Sequence, residues 1–118
     1  MRILVVDDEE SVAELFATVV RSEGDDALVA LSGAEALRLL SATTVDGVFL
    51  DLAMPDMDGL VVLAQIRERY PTVPVMILSG HANDDHEREA MALGAVAVVR
   101  KPAQLTALME AVSRLKGG

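Results

Sequence analysis

Three carboxylates, a hydroxyl and an ammonium occupy one kind of position in this 118-residue chain, the point where an apolar run gives way to a polar loop. Asp7 and Asp8 follow Ile3-Leu4-Val5-Val6, and Asp51 ends a run that begins near Val45. Ser79 follows the run 75–78, and Lys101 comes after the run 95–99 and Arg100. Carboxylates held close together repel unless a cation sits among them. Hard oxygen donors in a chain without cysteine suit Mg2+, which keeps near-octahedral geometry at about 2.0 Å and retains waters and substrate oxygens. A hydroxyl and an ammonium opposite such an ion make a site for a phosphoryl group in transfer. Each residue also has a plainer use. An aspartate at a strand end forms turns, and the acidity of Asp7-Asp8-Glu9 suits a helix start. Ser79 is able to cap a turn, and Lys101 precedes a proline that begins a helix. It is the recurrence of all five at strand ends that favours chemistry.

The elements that must hold these residues follow from periodicity. Ile3 to Val6 is a continuous apolar run, as a central strand buried on both faces should be. The first helix carries Val12, Leu15, Phe16 and Val19 at i, i+3, i+4 and i+7 and closes at Gly24. A second strand spans Ala27 to Leu31, and Ser32-Gly33-Ala34-Glu35 has the form of a capping box opening a helix with Ala36, Leu37 and Leu40 on one face. Val45 to Leu50 is the third strand. Pro55 stops it from continuing, Asp58-Gly59 is turn chemistry, and Leu60, Leu63 and Ile66 stripe the next helix up to Tyr70-Pro71. The fourth strand, 75–78, is followed by a capping box at Asp84 and Glu87 and a helix with Ala90, Met91 and Leu93 before Gly94. The fifth strand, 95–99, leads through Arg100-Lys101-Pro102 into a last helix that buries Leu105, Leu108, Met109, Val112 and Leu115. Five strands alternating with five helices call for an α/β fold, a doubly wound parallel sheet with helices on both faces. In the order 2-1-3-4-5 the first and third strands are neighbours, and a crevice opens at their C-terminal ends. The acids fall there.

Composition narrows the function classes. The size is that of one domain. Hydrophobic residues make up 52% of the chain but aromatics only 3%, so the core is expected to be aliphatic. Ten basic against 19 acidic residues give a net charge of -9, which argues against this domain binding nucleic acid directly. No apolar stretch is long enough to span a membrane, and the N-terminus is too acidic for a signal peptide. The lack of cysteine fits a reducing compartment, and a cytoplasmic location is expected. His81 and His86 are not at a ligand spacing. The methionines at 54, 57, 76, 91 and 109 are expected to fill gaps in core and loops.

From Arg2 to about Leu115 the chain resembles the receiver domain of bacterial two-component response regulators. The resemblance rests on Val5-Val6-Asp7-Asp8-Glu9, on the run from Asp51-Leu52-Ala53-Met54-Pro55 to Asp56-Met57-Asp58-Gly59, on Ser79-Gly80 and on Lys101-Pro102. It implies a flavodoxin-like (βα)5 fold forming one receiver domain over residues 1–118. It implies that Asp51 is the phosphoacceptor, taking a phosphoryl group from a phosphohistidine on a sensor histidine kinase or phosphotransfer protein. By the same resemblance Asp8, Asp51 and the backbone carbonyl of Ala53 bind Mg2+, and Asp7 acts through a metal-bound water. Lys101 pairs with the phosphoryl oxygens. Ser79 moves to meet one of them, and that movement switches a surface of the fourth helix, fifth strand and fifth helix, where a downstream partner or a second copy docks. Such a domain promotes its own phosphorylation and dephosphorylation but is a signalling domain rather than an enzyme, either standing alone or cut from a longer chain. Ala53 and His81 flank the approach of hydrolytic water.

One departure concerns the switch. Val98 stands where the family commonly has a tyrosine or phenylalanine that swings inward, and Ala103 replaces a larger apolar residue after the proline. A second reading is therefore a protein-interaction module whose output depends weakly on phosphorylation. A third, a flavin-binding or hydrolytic enzyme on the same fold, lacks the hydroxyl-rich phosphate loop after the first strand and a separate general base.

Overall fold

Ile3, Leu4, Val5 and Val6 have no accessible surface, so the strand that contains them is interior on both faces. This strand, β1 (Arg2–Val6), organises the rest. In the computed structural model, which describes residues 1–54, 57–79, 84–100, 110 and 112–115, β1 pairs in parallel with β2 (Asp26–Ala30) and with β3 (Gly47–Asp51). On the far side β3 pairs with β4 (Val75–Ser79), and β4 with β5 (Ala97–Arg100), also in parallel. The order is 2-1-3-4-5, as the alternation of elements predicted. Every residue of β3 and of β4 is buried. A short antiparallel pairing of Ala53–Met54 with Met57–Asp58 lies outside this sheet.

Helices α1 (Glu10–Ser22), α2 (Gly33–Ala42), α3 (Gly59–Arg69) and α4 (Asp84–Ala92) alternate with the strands. Residues 110 and 112–115 are helical as well; Leu105, Leu108, Met109 and the segment around them lie outside the described residues. Because successive strand side chains point to opposite faces, the sheet separates two cores. One holds Leu4, Val6, Leu50 and Ile77 against Leu40, Val62, Leu63, Ile66 and Ala90. The other holds Ile3, Val5, Phe49 and Met76 against Ala13, Phe16, Val20, Val112 and Leu115. Phe16 and Phe49 meet across it with ring centroids 5.2 Å apart and planes tilted by 52°.

The caps behave as their chemistry dictates. Ser32 accepts a hydrogen bond from the Glu35 amide at 3.1 Å, and Asp58 accepts one from the Leu60 amide at 2.9 Å. Gly24 and Gly94 take positive φ, 86° and 104°, after α1 and α4. In both places the glycine amide reaches three residues back and the next amide five back, so the last carbonyls of the helix are satisfied.

Several expectations shift. On α1 Phe16 and Val19 are buried as expected and are joined by Ala13, Ala17 and Val20, while Leu15 is 48% exposed. The two alanines let the helix approach the sheet closely, which a search for large residues overlooks. Met91 and Leu93 are exposed rather than core, although Met54 and Met76 are buried. Helix α4 begins at Asp84 itself rather than after it, and β5 begins at Ala97 because the Ala95 amide is engaged in closing α4. Among the described residues no helix is long and apolar enough to cross a membrane.

Candidate functional site

The register of β1 with β3 aligns Val6 with Leu50, which makes Asp7 level with Asp51. The Asp7 amide donates to the Ala30 carbonyl at 3.1 Å, extending the β1–β2 ladder one residue past the strand. Its carboxylate then accepts from the Glu9 amide at 2.9 Å, turning the chain into α1. Asp7 is fully buried and Asp51 is 2% exposed, whereas Asp8 is open to solvent. One carboxylate oxygen from each of the three lies within 4.8 Å of the other two.

Such proximity has an electrostatic cost. At an effective dielectric of about 20, two unit charges at that separation repel by roughly 3 kcal/mol. A divalent cation removes the penalty, and the donor set fits one. Oxygens around a single Mg2+ lie about 2.9 Å apart when adjacent and about 4.2 Å when opposite, given bonds of about 2.0–2.1 Å. A spread of up to 4.8 Å closes on that shell by small rotations, or through a water in place of one carboxylate. All three donors are hard oxygens, which suit Mg2+ better than a thiophilic metal.

Ser79 comes to the same edge. Asp51 is aligned with Leu78, the Leu52 amide donates to the Leu78 carbonyl at 3.3 Å, and Ser79 is the next residue, 6% exposed. On its other side Ser79 is aligned with Arg100, the last residue of β5. Lys101, predicted to complete the site, lies outside the described residues, as do His81 and Ala103. Four of the five predicted polar residues are thus brought to one edge of the sheet. Val98 is aligned with Ile77, half-buried and packed against the first core.

One contributor escaped the sequence reading. Asp58-Gly59 reads as turn chemistry in the sequence, yet Gly59 is the buried first residue of α3, and its amide donates to the Leu52 carbonyl at 3.1 Å. A Cβ there would lie 2.4 Å from the Leu52 Cα and 2.8 Å from the Asp51 carbonyl oxygen. The absence of a side chain lets α3 start directly against the backbone that carries Asp51. Just before α3, Ala53 pairs antiparallel with Asp58 and Met54 with Met57. The only signal in the sequence was a glycine seven residues before an apolar position of the helix, Ile66, which is too common to single out.

Comparison with known proteins agrees with this geometry. A sequence model described as response regulator receiver domain matches residues 3–113. An NtrX-like response regulator of Rickettsia bellii is 37% identical over 102 residues, covering 85% of this chain and 21% of that protein. The transcriptional regulatory protein GlrR of Escherichia coli is 36% identical over 110 residues, covering 93% of this chain and 25% of that protein. The chain therefore spans about a fifth to a quarter of the length of these curated relatives. The crystal structure of the receiver domain of NtrX from Brucella abortus superposes with a TM-score of 0.89 at 32% identity, covering 98% of this chain and 99% of that one.

Proposed function

The chain belongs to the response regulator receiver domain family, the phosphoacceptor modules of two-component signalling, and on that footing we propose that Asp51 is the residue phosphorylated. The single observation carrying this reading is the convergence of the Asp7, Asp8 and Asp51 carboxylates within 4.8 Å. In the proposed reaction an Asp51 carboxylate oxygen attacks the phosphorus of a phosphohistidine on a sensor kinase or phosphotransfer protein. The P–O bond to Asp51 forms as the P–N bond breaks, and the departing imidazole keeps the electron pair and takes a proton. Carboxylates are competent nucleophiles for covalent intermediates of this kind. Mg2+ would be held by Asp8, Asp51 and the Ala53 carbonyl, with Asp7 reaching it through water, and would offset the charge gathered at the transferring group. Lys101 neutralises phosphoryl oxygens, and Ser79 donates its hydroxyl to one of them.

Residues 1–118 act in this reading as one receiver domain, a cytoplasmic signalling module rather than an enzyme that turns over a separate substrate. Its output passes through the surface of α4, β5 and the last helix to a downstream partner or a second copy. The test is incubation with Mg2+ and a small acyl phosphate followed by intact-mass measurement. One phosphoryl increment is expected in the parent and none in Asp51→Asn. No increment in the parent, or its persistence in the variant, would refute the assignment.

Val98 supports a second reading, in which the fold serves as an interaction module only weakly coupled to phosphate. A half-buried valine offers no ring to swing between positions. Partner affinity measured with and without a phosphoryl mimic separates the two, because a change above about tenfold, or 1.4 kcal/mol of coupling, rejects weak coupling.

A further inference from the structure

The edge of the sheet away from the acids holds a cavity that the phosphoacceptor role does not use. Where α2 stops, Thr43, Thr44 and Asp46 lead into β3, and where α3 stops, Tyr70, Thr72 and Val73 lead into β4. Between these two loops lies a space of about 450 Å³ whose buried walls are Leu40 and Val45. That volume falls in the range of small-molecule sites. Asp46 is five residues before Asp51 along an extended strand, so the cavity lies roughly 16 Å from the acid cluster.

The charge at its rim is negative. A helix ends in partial negative charge, and α2 has no basic residue in its last turn to offset it. The Thr43 amide takes the Leu39 carbonyl and the Ser41 hydroxyl takes that of Arg38, while the carbonyls of residues 40–42 come too late in the helix to receive a helical amide. Asp46 adds a full charge at the exposed rim, and its position is set by the Arg2 amide, which donates to Oδ2 at 2.8 Å. Tyr70 also lines the space, half-buried against the first core. Among the described residues no Lys, Arg or His lines the space, and the neighbouring Arg67 donates to the carbonyls of Pro71 and Val73. A net charge of -9 further raises the local concentration of cations.

We propose that this cavity binds a small organic cation, a protonated amine or quaternary ammonium. The charged head is held at Asp46 and the end of α2, and the apolar body lies against Leu40, Val45 and Tyr70. A mineral cation gains nothing from the apolar walls, and an anion meets the Asp46 charge with hydroxyls but no cationic side chain to offset it, among the described residues.

Amide NMR spectra recorded during titration of the whole chain with choline and with ethanolamine test the site. The neutral control is 3,3-dimethyl-1-butanol, which replaces the choline nitrogen with carbon. Saturable shifts are expected at residues 40–46 and 70–73 with at least one of the two cations, and at least tenfold weaker binding of the alcohol. Asp46→Asn keeps an oxygen for the Arg2 amide but loses the charge, and is expected to weaken cation binding at least tenfold while its spectrum reports an intact fold. Tyr70→Leu provides an independent second variant with the same expected direction. The proposal is overturned if neither cation gives saturable shifts, if the alcohol binds as tightly, or if the shifts centre on residues 7, 8 and 51.

Discussion

Replacing Gly59 by alanine adds one methyl group and should disable the acid site out of proportion to its size. Gly59 does not have positive φ, so alanine is conformationally permitted, and on propensity alone the change gains up to about 1 kcal/mol in a helix. Against this stands the contact. The new Cβ would lie 2.4 Å from the Leu52 Cα and 2.6 Å from the Leu52 carbonyl oxygen, both backbone atoms that no rotamer change removes. Ordinary carbon contacts begin near 3.5 Å, so the start of α3 and the end of β3 must separate by about 1 Å. Overpacking of this kind costs roughly 1–3 kcal/mol and wins over the propensity gain. A net loss of about 2 kcal/mol corresponds to roughly 8 °C in Tm for a domain of this size. The same displacement moves residues 51 to 53, so Mg2+ affinity should fall at least tenfold. Urea unfolding and Mg2+ titration measure the two effects. Val62→Ala, which thins the core without touching the loop, should lose comparable stability and retain Mg2+ affinity. Unchanged stability and Mg2+ affinity in Gly59→Ala would refute the argument that this contact positions the site.

Three further outcomes follow from the same geometry. Asp51→Asn should raise stability in metal-free buffer by about 1–3 kcal/mol, because it relieves the repulsion with buried Asp7, and should abolish the stabilisation that the parent gains from Mg2+; denaturant unfolding with and without the ion reads both. Gly24→Ala and Gly94→Ala should each cost about 1–2 kcal/mol for the left-handed backbone. Thermal melts should show the greater loss at 94, where a Cβ meets the Arg67 Nε at 2.8 Å, since nothing lies within 4 Å at 24. Ser32→Ala should lower stability by about 1 kcal/mol through the lost cap of α2, and Ser32→Gly by only a few tenths, in a denaturant series.

What could be seen in the sequence was what depends on neighbours along the chain. Ile3 to Val6 announced a central strand because four apolar residues without a polar break have no solvent-facing side, and Ser32 with Glu35 announced the start of α2 through a local hydrogen bond. The convergence of Asp7, Asp8 and Asp51 needed one step more, the strand order, which the alternation of elements and the rules of parallel connections supplied. Features set by close approach stayed hidden. Leu15 satisfies helical spacing as well as Phe16 does, yet faces water, because Ala13 and Ala17 draw α1 against the sheet from a direction that large residues do not mark. Gly59 acts through an atom it lacks. The cavity joins Asp46 to Tyr70, residues linked only through the pairing of β3 with β4, and neither carries a local signature of a site.

The placement of Tyr70 decides what light can report about this protein. With no tryptophan and a single tyrosine, its intrinsic ultraviolet emission is dominated by one ring in the wall of the cavity opposite the acids. Fluorescence of the unlabelled chain is therefore a gauge of that far pocket, and following ion capture or phosphoryl transfer optically calls for an indole introduced on the Asp51 side.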